Sequence, residues 1–252
     1  MAVDGRRYVV LGATGGIGRA VAERLAAGGA KLVLGARSAE PLKELADELG
    51  AVGHPLDARD LGEVDGIVDR ALEEHGGLDG VVNAVGSIVL KPAHITRGEE
   101  LREILETNLV TAFAAVRSGA RVLREGGGSV VLFSTAAVRS GIPNHEAIAA
   151  AKGGVEGLTR AAAATYAGSG VRVNAVAPGL TRTAGADRII SSESARKASE
   201  AMHALGRLGE PEEVASAAVW LLDPDQSWVT GQVLGVDGGL GTLRPAPGGS
   251  SG

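Results

Sequence analysis

Four glycines fall within seven positions in Gly12-Ala-Thr-Gly-Gly-Ile-Gly18, between an apolar run at Tyr8–Leu11 and a helical pattern that begins at Ile17. Glycine lets a backbone turn tightly and lets another group approach it closely, and a helix N-terminus offers free N–H groups to negative charge. A strand, turn and helix of this kind suit a pyrophosphate, so Gly12, Thr14, Gly16, Ile17 and Gly18 are expected contacts of a dinucleotide. The spacing is Gly-x-x-x-Gly-x-Gly rather than the strict Gly-x-Gly-x-x-Gly, and 39 glycines in the chain make a chance match easier. The competing reading is a glycine turn that merely packs helix on strand, and the context disfavours it.

The next apolar run ends in Leu34-Gly-Ala-Arg-Ser38. Sites for NAD place an acid there to bind the ribose 2′-hydroxyl. Ala36 stands in that place and Arg37 follows. A guanidinium fork grips a 2′-phosphate that a carboxylate would repel. Arg37 and Ser38 therefore point to NADP(H), with NAD less favoured; the competing reading makes Arg37 a solvated loop charge.

Titratable side chains are few near the next candidate helix. His145 and Glu146 follow the loop Arg139-Ser-Gly-Ile-Pro-Asn144. Histidine titrates near neutrality and is the usual general acid, whereas a glutamate at a helix start is ordinary N-terminal charge. His145 is the better candidate, although a His there is often just solvated. His94 in Lys91-Pro-Ala-His-Ile95 is a weaker one, and His54 reads as structural. No histidine pair or carboxylate cluster has metal-ligand spacing, so no metal is expected. The chain has no cysteine, which excludes disulfide and thiolate chemistry.

Short apolar runs that alternate with helix-length segments must position these groups. The runs are Tyr8–Leu11, Lys31–Leu34, Leu78–Asn83, Gly128–Ser134, Val171–Val176 and Gln232–Val236, with a weaker one near Ala51–Leu56. They are continuously apolar, as strands covered on both faces are. Helical patterns lie between them at Ile17–Ala27, Ala39–Leu49, Leu61–His75, Glu99–Arg124, Glu146–Tyr166 and Pro211–Leu222. The expected fold is one doubly wound α/β domain, a mainly parallel seven-stranded sheet with helices on both faces. It should span residues 1–240, followed by a polar flexible tail at 241–252.

At 252 residues the chain can bury a large core, but only six residues are aromatic, so Val, Leu, Ala and Gly must fill it. Net charge is −5 with no long basic run, which speaks against a nucleic-acid partner. Met1–Arg7 lacks the apolar stretch of a signal peptide, and no segment reaches the ~18 apolar residues of a membrane span. A cytoplasmic protein with no membrane partner is the expectation.

With these features in order, the chain resembles the short-chain dehydrogenase/reductase superfamily from about residue 5 to residue 240. Val81-Val-Asn-Ala-Val-Gly86 is similar to the family's Asn-Asn-Ala-Gly segment, with Asn83 at its first Asn, Ala84 at its second, and Gly86 closing it. Asp57 matches the acid that contacts adenine. Pro178, Gly179, Thr181 and Thr183 fall in the segment that resembles Pro-Gly-x-x-x-Thr, which holds the nicotinamide end. Val236-Asp-Gly-Gly239 resembles the closing motif, and Leu11 departs from the Thr that usually precedes the first Gly. The resemblance implies a homo-oligomer, tetramer or dimer.

It also implies a working set of Asn, Ser, Tyr and Lys. Asn108 matches the Asn, which orders a water beside the Lys, and Lys152 matches the Lys, which holds the nicotinamide ribose. Thr135 occupies the Ser position, with Ser134 adjacent to it. At the Tyr position, four residues before Lys152, stands Ile148. Isoleucine has no donor, acceptor or titratable proton. Tyr166 lies eighteen residues further on, roughly 27 Å along a helix, and cannot replace it.

Losing a positioned acid penalises substrates whose oxygen needs a proton as hydride arrives, at about 10²–10⁴ in rate. The expected activity is therefore NADPH-dependent reduction of a small molecule, with a polarised C=C or C=N bond as acceptor. Asn108, Thr135, His145 and Lys152 would form the site. Alternatives are a carbonyl reductase with His145 or water as relocated acid, a catalytically silent cofactor-binding or scaffold subunit, and a non-redox isomerase or lyase. The segment Thr181–Leu205, with Arg182, Arg188, Arg196 and Lys197, resembles the family's substrate lid. Its basic residues would suit an acidic substrate, or they are balanced by Glu193 and Glu200.

Overall fold

Val, Leu and Ala in unbroken runs have no polar face to offer water, so each run becomes a strand buried on both sides. In the computed structural model, which describes residues 2–187 and 189–244, these are β1 (Arg7–Leu11), β2 (Lys31–Ala36), β3 (Val52–Pro55), β4 (Gly80–Asn83), β5 (Gly128–Phe133), β6 (Val171–Pro178) and β7 (Val233–Val236). They form one sheet in the order β3-β2-β1-β4-β5-β6-β7, and every pair is parallel. Parallel neighbours need helical crossovers, and these supply the outer layers. On one face α1 (Gly16–Ala27), α2 (Ala39–Leu49) and α9 (Pro211–Leu222) cover a core that includes Val10, Leu25, Leu45, Val82 and Leu221. On the other, α3 (Leu61–His75), α5 (Thr111–Leu123) and α7 (Glu146–Tyr166) cover Val9, Ile67, Val81, Ala115 and Val155.

Helix starts follow local chemistry. The Asp60 side chain accepts from Gly62 N and Glu63 N to cap α3, and α9 opens with Pro211 and a Glu210/Glu213 capping box.

Three expectations change. The single helix expected at Glu99–Arg124 is α4 (Gly98–Leu105), a π-helical turn at Glu106–Val110, and then α5. The lid segment contains a helix of its own, α8 (Glu193–Met202), after the short α6 (Ala137–Ser140) has begun the loop before α7. The expected tail does not begin at 241: Gly241 N donates to Asp237 Oδ2 at 2.9 Å and Leu243 N to Gly239 O at 2.8 Å. Residues 245–252 lie outside the described part. No described helix is long and apolar enough to cross a membrane.

Candidate active site

The strand order reverses between β1 and β4, because the crossovers on either side leave for opposite faces. A crevice opens at the carboxyl ends of those strands. Gly12 leaves β1 at φ +75°, and a Cβ on it would lie 2.8 Å from Val85 N. A Cβ on Gly18 would collide with the Gly12 carbonyl oxygen, and one on Gly16 would lie 2.7 Å from Thr183 Cγ2. α1 starts at Gly16 with Gly15 as an N-cap that has no side chain, which leaves its first N–H groups free for an anion.

Around this turn lies a cavity of about 200 Å³ lined by Thr14, Ala36, Arg37, Asp57 and Arg59. It shares Gly15, Ala84, Val85 and Gly86 with a second cavity of about 390 Å³. Sharing these residues, they make one continuous trough from Arg37 to Lys152. Arg37 stands exposed on the rim. Arg59 Nε donates to both Asp57 oxygens at 3.0 Å. Hydrogen bonds from Arg59, with a smaller contribution from the Arg37 charge, hold the Asp57 carboxyl below the usual range.

Two expected contacts stand apart from this trough. Ser38 is exposed at the N-cap of α2 and is not part of the lining. Asn83 is buried; its Nδ2 donates to Thr111 Oγ1 at 3.2 Å and its Oδ1 accepts from Val85 N at 3.3 Å. Its side chain thus fixes the wall from behind.

The larger cavity gathers Asn108, Thr135, His145 and Lys152 with Pro178, Gly179, Thr181, Thr183, Ile17 and Gly18. Asn108 sits in the π turn, where the Ile104 carbonyl accepts from its Nδ2 at 3.0 Å. The same Nδ2 donates to Ser87 Oγ at 3.1 Å, and Oδ1 accepts from Ser87 N at 3.1 Å. The side chain that interrupts the helix therefore ties it to the loop after β4. A Cβ on Gly86 would lie 3.1 Å from Asn108 Oδ1 and 3.4 Å from Lys152 Nζ, so both groups converge on that glycine.

Lys152 Nζ donates to the Phe133 carbonyl at 2.9 Å, and burial pushes the ammonium down to about 8. The neighbouring hydroxyls divide their work. Ser134 is buried and donates to Glu156 Oε1 at 3.0 Å, so its proton is already spent although it borders the chamber. Thr135 is half-buried and accepts only from Ala137 N, at 3.3 Å, so its proton remains available. Of the two, Thr135 is the one whose hydroxyl proton is free to face the chamber.

His145 lies on the rim with Nδ1 2.8 Å from the Pro143 carbonyl oxygen. Glu146 Oε1 accepts from Ala93 N at 3.4 Å and pins the facing loop. His94 is exposed in the 3₁₀ turn Ala93–Ile95 and does not line the chamber. His54 lies in β3, where burial lowers its pKa. Ile148 is 4% exposed, packs with Ile104 and Ala151, and shows its remaining surface to the chamber.

The lid charges are paired. Arg182 reaches Glu210 at 3.0 Å, Arg196 reaches Glu200 at 3.5 Å, and Lys197 reaches Glu193 at 2.8 Å. Arg188 lies outside the described residues. Among those described, no three His, Asp or Glu side chains converge as a metal site.

Residues 12–241 match a family model described as enoyl-(acyl carrier protein) reductase. The chain is 35% identical to the hydroxynaphthalene reductase-like protein Arp2 of Metarhizium anisopliae, over 93% of this chain and 94% of that protein. It is also 35% identical to 2,5-dichloro-2,5-cyclohexadiene-1,4-diol dehydrogenase of Sphingobium indicum, over 94% and 98%. For the 3-oxoacyl-[acyl-carrier-protein] reductase of Thermotoga maritima the identity is 33%, over 95% and 99%. A short-chain type dehydrogenase/reductase from Mycobacterium ulcerans superposes with a TM-score of 0.91 at 33% identity, over 97% of this chain and 93% of that one.

The chain is a short-chain dehydrogenase/reductase. As a member of that family it is an oxidoreductase that uses a nicotinamide cofactor. Three polar residues that the sequence pattern passes over line or support its trough. Ser87 is the partner of Asn108, Arg59 is the partner of Asp57, and His203, behind the chamber wall, accepts from Leu180 N. Arg59 carried a signal, a cation two residues after the expected adenine acid. Ser87 and His203 acquire their partners only through the fold.

Proposed function

We propose that this dehydrogenase/reductase uses NADPH and reduces a polarised C=C bond of an enone or enoyl type, or a C=N bond of an imine or iminium. The observation that carries this is Ile148. It stands one turn before Lys152 on the chamber wall, where the family pattern places a tyrosine. When bound, NADPH supplies the hydride. Gly12, Gly16 and Gly18 would receive its pyrophosphate, Arg37 its 2′-phosphate, and Lys152 its nicotinamide ribose. Thr135 would donate a hydrogen bond to a substrate oxygen, polarising the acceptor without yielding a proton to it.

An enone or enoyl acceptor activated this way would take hydride at its β-carbon and later a proton at its α-carbon from water or His145. An iminium becomes a neutral amine on hydride addition alone, so neither needs a phenol in the transition state. The family model's description as an enoyl reductase agrees with a C=C acceptor, while the Thermotoga relative's name specifies a 3-oxoacyl substrate. The test is single-turnover transfer from deuterated NADPH to a cyclic enone, a cyclic iminium and the matched saturated ketone. Label should appear in the first two and be slowed by about 10²-fold or more in the ketone.

One observation favours a second reading, a carbonyl reductase with His145 as acid. His145 lines the same chamber with Nδ1 engaged by Pro143, which leaves Nε2 as the available nitrogen. Rapid ketone reduction that is lost in His145→Ala, with cofactor affinity intact, would establish it. The exposed Leu101 and Phe113 on α4 and α5, and Trp220, Trp228 and Leu234 around the β7 edge, support assembly as a homo-oligomer.

A further inference from the structure

His203 follows the last turn of α8 and is 2% exposed, and it does not itself line the catalytic chamber. Its Nδ1 lies 2.7 Å from the Ser199 carbonyl oxygen, so that nitrogen carries the proton and donates. Nε2 is then the acceptor, and it takes the Leu180 N–H at 3.1 Å. A single neutral tautomer satisfies both bonds. Gly179 makes room for the ring, because a Cβ there would lie 2.7 Å from Nε2.

The two groups that His203 joins belong to different walls. Ser199 is on the lid helix α8, and Leu180 follows β6 in the segment expected at the nicotinamide; both line the chamber. On its other side Leu180 is held by Gly209, whose N–H donates to the Leu180 carbonyl at 3.0 Å, while Arg182 N donates to Gly209 O at 2.9 Å. This parallel bridge turns the Thr181 N–H and carbonyl away from Gly209. Among the described residues the Thr181 N–H has no acceptor. The Thr181 peptide on the chamber wall is thus aimed by its two neighbours, and one of them is aimed by His203.

We propose that His203 is a positioning residue that locks the lid helix to the nicotinamide-holding segment, so that α8 and Leu180–Thr181 move as one body. The proposal rests on the dinucleotide reading of the trough. An ordinary buried histidine would stabilise the whole chain; this one should act on one end of the cofactor and leave the other alone.

Two quantities test it in H203L and H203Q: hydrogen exchange at the Leu180 amide, and calorimetric affinity for NADPH and for 2′,5′-ADP, which lacks the nicotinamide. In H203L, Leu180 exchange should accelerate about tenfold or more while Val173 and Ala175 in β6 stay protected. NADPH should bind about tenfold more weakly, with 2′,5′-ADP unchanged. A glutamine amide donates and accepts as the neutral ring does, so H203Q should restore both readings toward wild type. H203N, too short to span both partners, serves as the second disrupting variant if H203L does not fold. Equal weakening of both ligands, or no change in either, overturns the proposal. If wild type binds neither nucleotide, the functional reading falls instead, and Leu180 exchange in the variants still decides whether His203 holds that segment.

Discussion

Ile148 and Lys152 stand one turn apart on the same face of α7, and both line one chamber, but only Lys152 brings a polar atom to it. Placing a phenol at position 148 tests what that difference does. I148Y should raise reduction of a saturated ketone by about 10²–10⁴ if NADPH is bound in reach. It should also cost about 1–3 kcal/mol in stability, because Ile148 packs tightly against Ile104 and Ala151. Ketone turnover and thermal melts of the variant check both halves.

Arg37 should set cofactor choice. R37A is expected to weaken NADPH by about tenfold or more and to leave NADH nearly unchanged, since the guanidinium is free for a phosphate and useless to a hydroxyl. A36D should move preference toward NADH by adding the missing ribose acceptor. Calorimetry on the two variants decides it, and equal losses for both cofactors in R37A would refute the assignment.

The buried Lys152 makes stability depend on pH in a definite direction. Its ammonium has been pushed from the ordinary lysine value down to about 8, so between about 8 and 10.5 the unfolded chain holds a proton that the folded one has released. Stability of the cofactor-free protein should therefore rise as pH climbs through that window, and below it Lys152 carries a cost of at most about 3 kcal/mol. K152M should be more stable than wild type at pH 7 and should flatten the rise. Denaturant melts at pH 7 and 9.5 measure this, and a K152M that keeps the wild-type slope would count against it.

Much of this site could be read from the chain because its signals are local. The turn at Gly12–Gly18, Ala36 beside Arg37, and the pair Ile148 and Lys152 each depend on neighbours a few residues away. Residues whose meaning comes from distant partners were less legible. Asn108 reads as a break in a helix only once Ser87 is seen to bond it from the loop after β4. The choice between Ser134 and Thr135 was open by one residue until Glu156, far along α7, claimed Ser134. Asn83 matched the family pattern, yet its side chain is spent on Thr111 and Val85. The helix in the lid was missed because the small alanines of its stripe, Ala195, Ala198 and Ala201, carry little apolar signal beside its charges.

The division of labour between those hydroxyls yields a further expectation. S134A should destabilise the protein by about 1–3 kcal/mol, because the buried Glu156 carboxylate loses its donor. T135V should cost only about 0.5–1.5 kcal/mol, for the acceptor that Ala137 N loses, and slow hydride transfer instead. Melting temperature and single-turnover rate, measured on both variants, should move in opposite patterns. A T135V with unchanged rate would remove Thr135 from the site.

The trough from Arg37 to Lys152 is the central claim, and a calorimetric titration of the folded protein with NADPH and with NADH tests it most directly. The structure predicts that NADPH binds at one site per chain and about tenfold or more tighter than NADH. Equal affinity for the two would contradict the role given to Arg37. Failure of the folded protein to bind either would contradict the reading of the chamber as a hydride-transfer site.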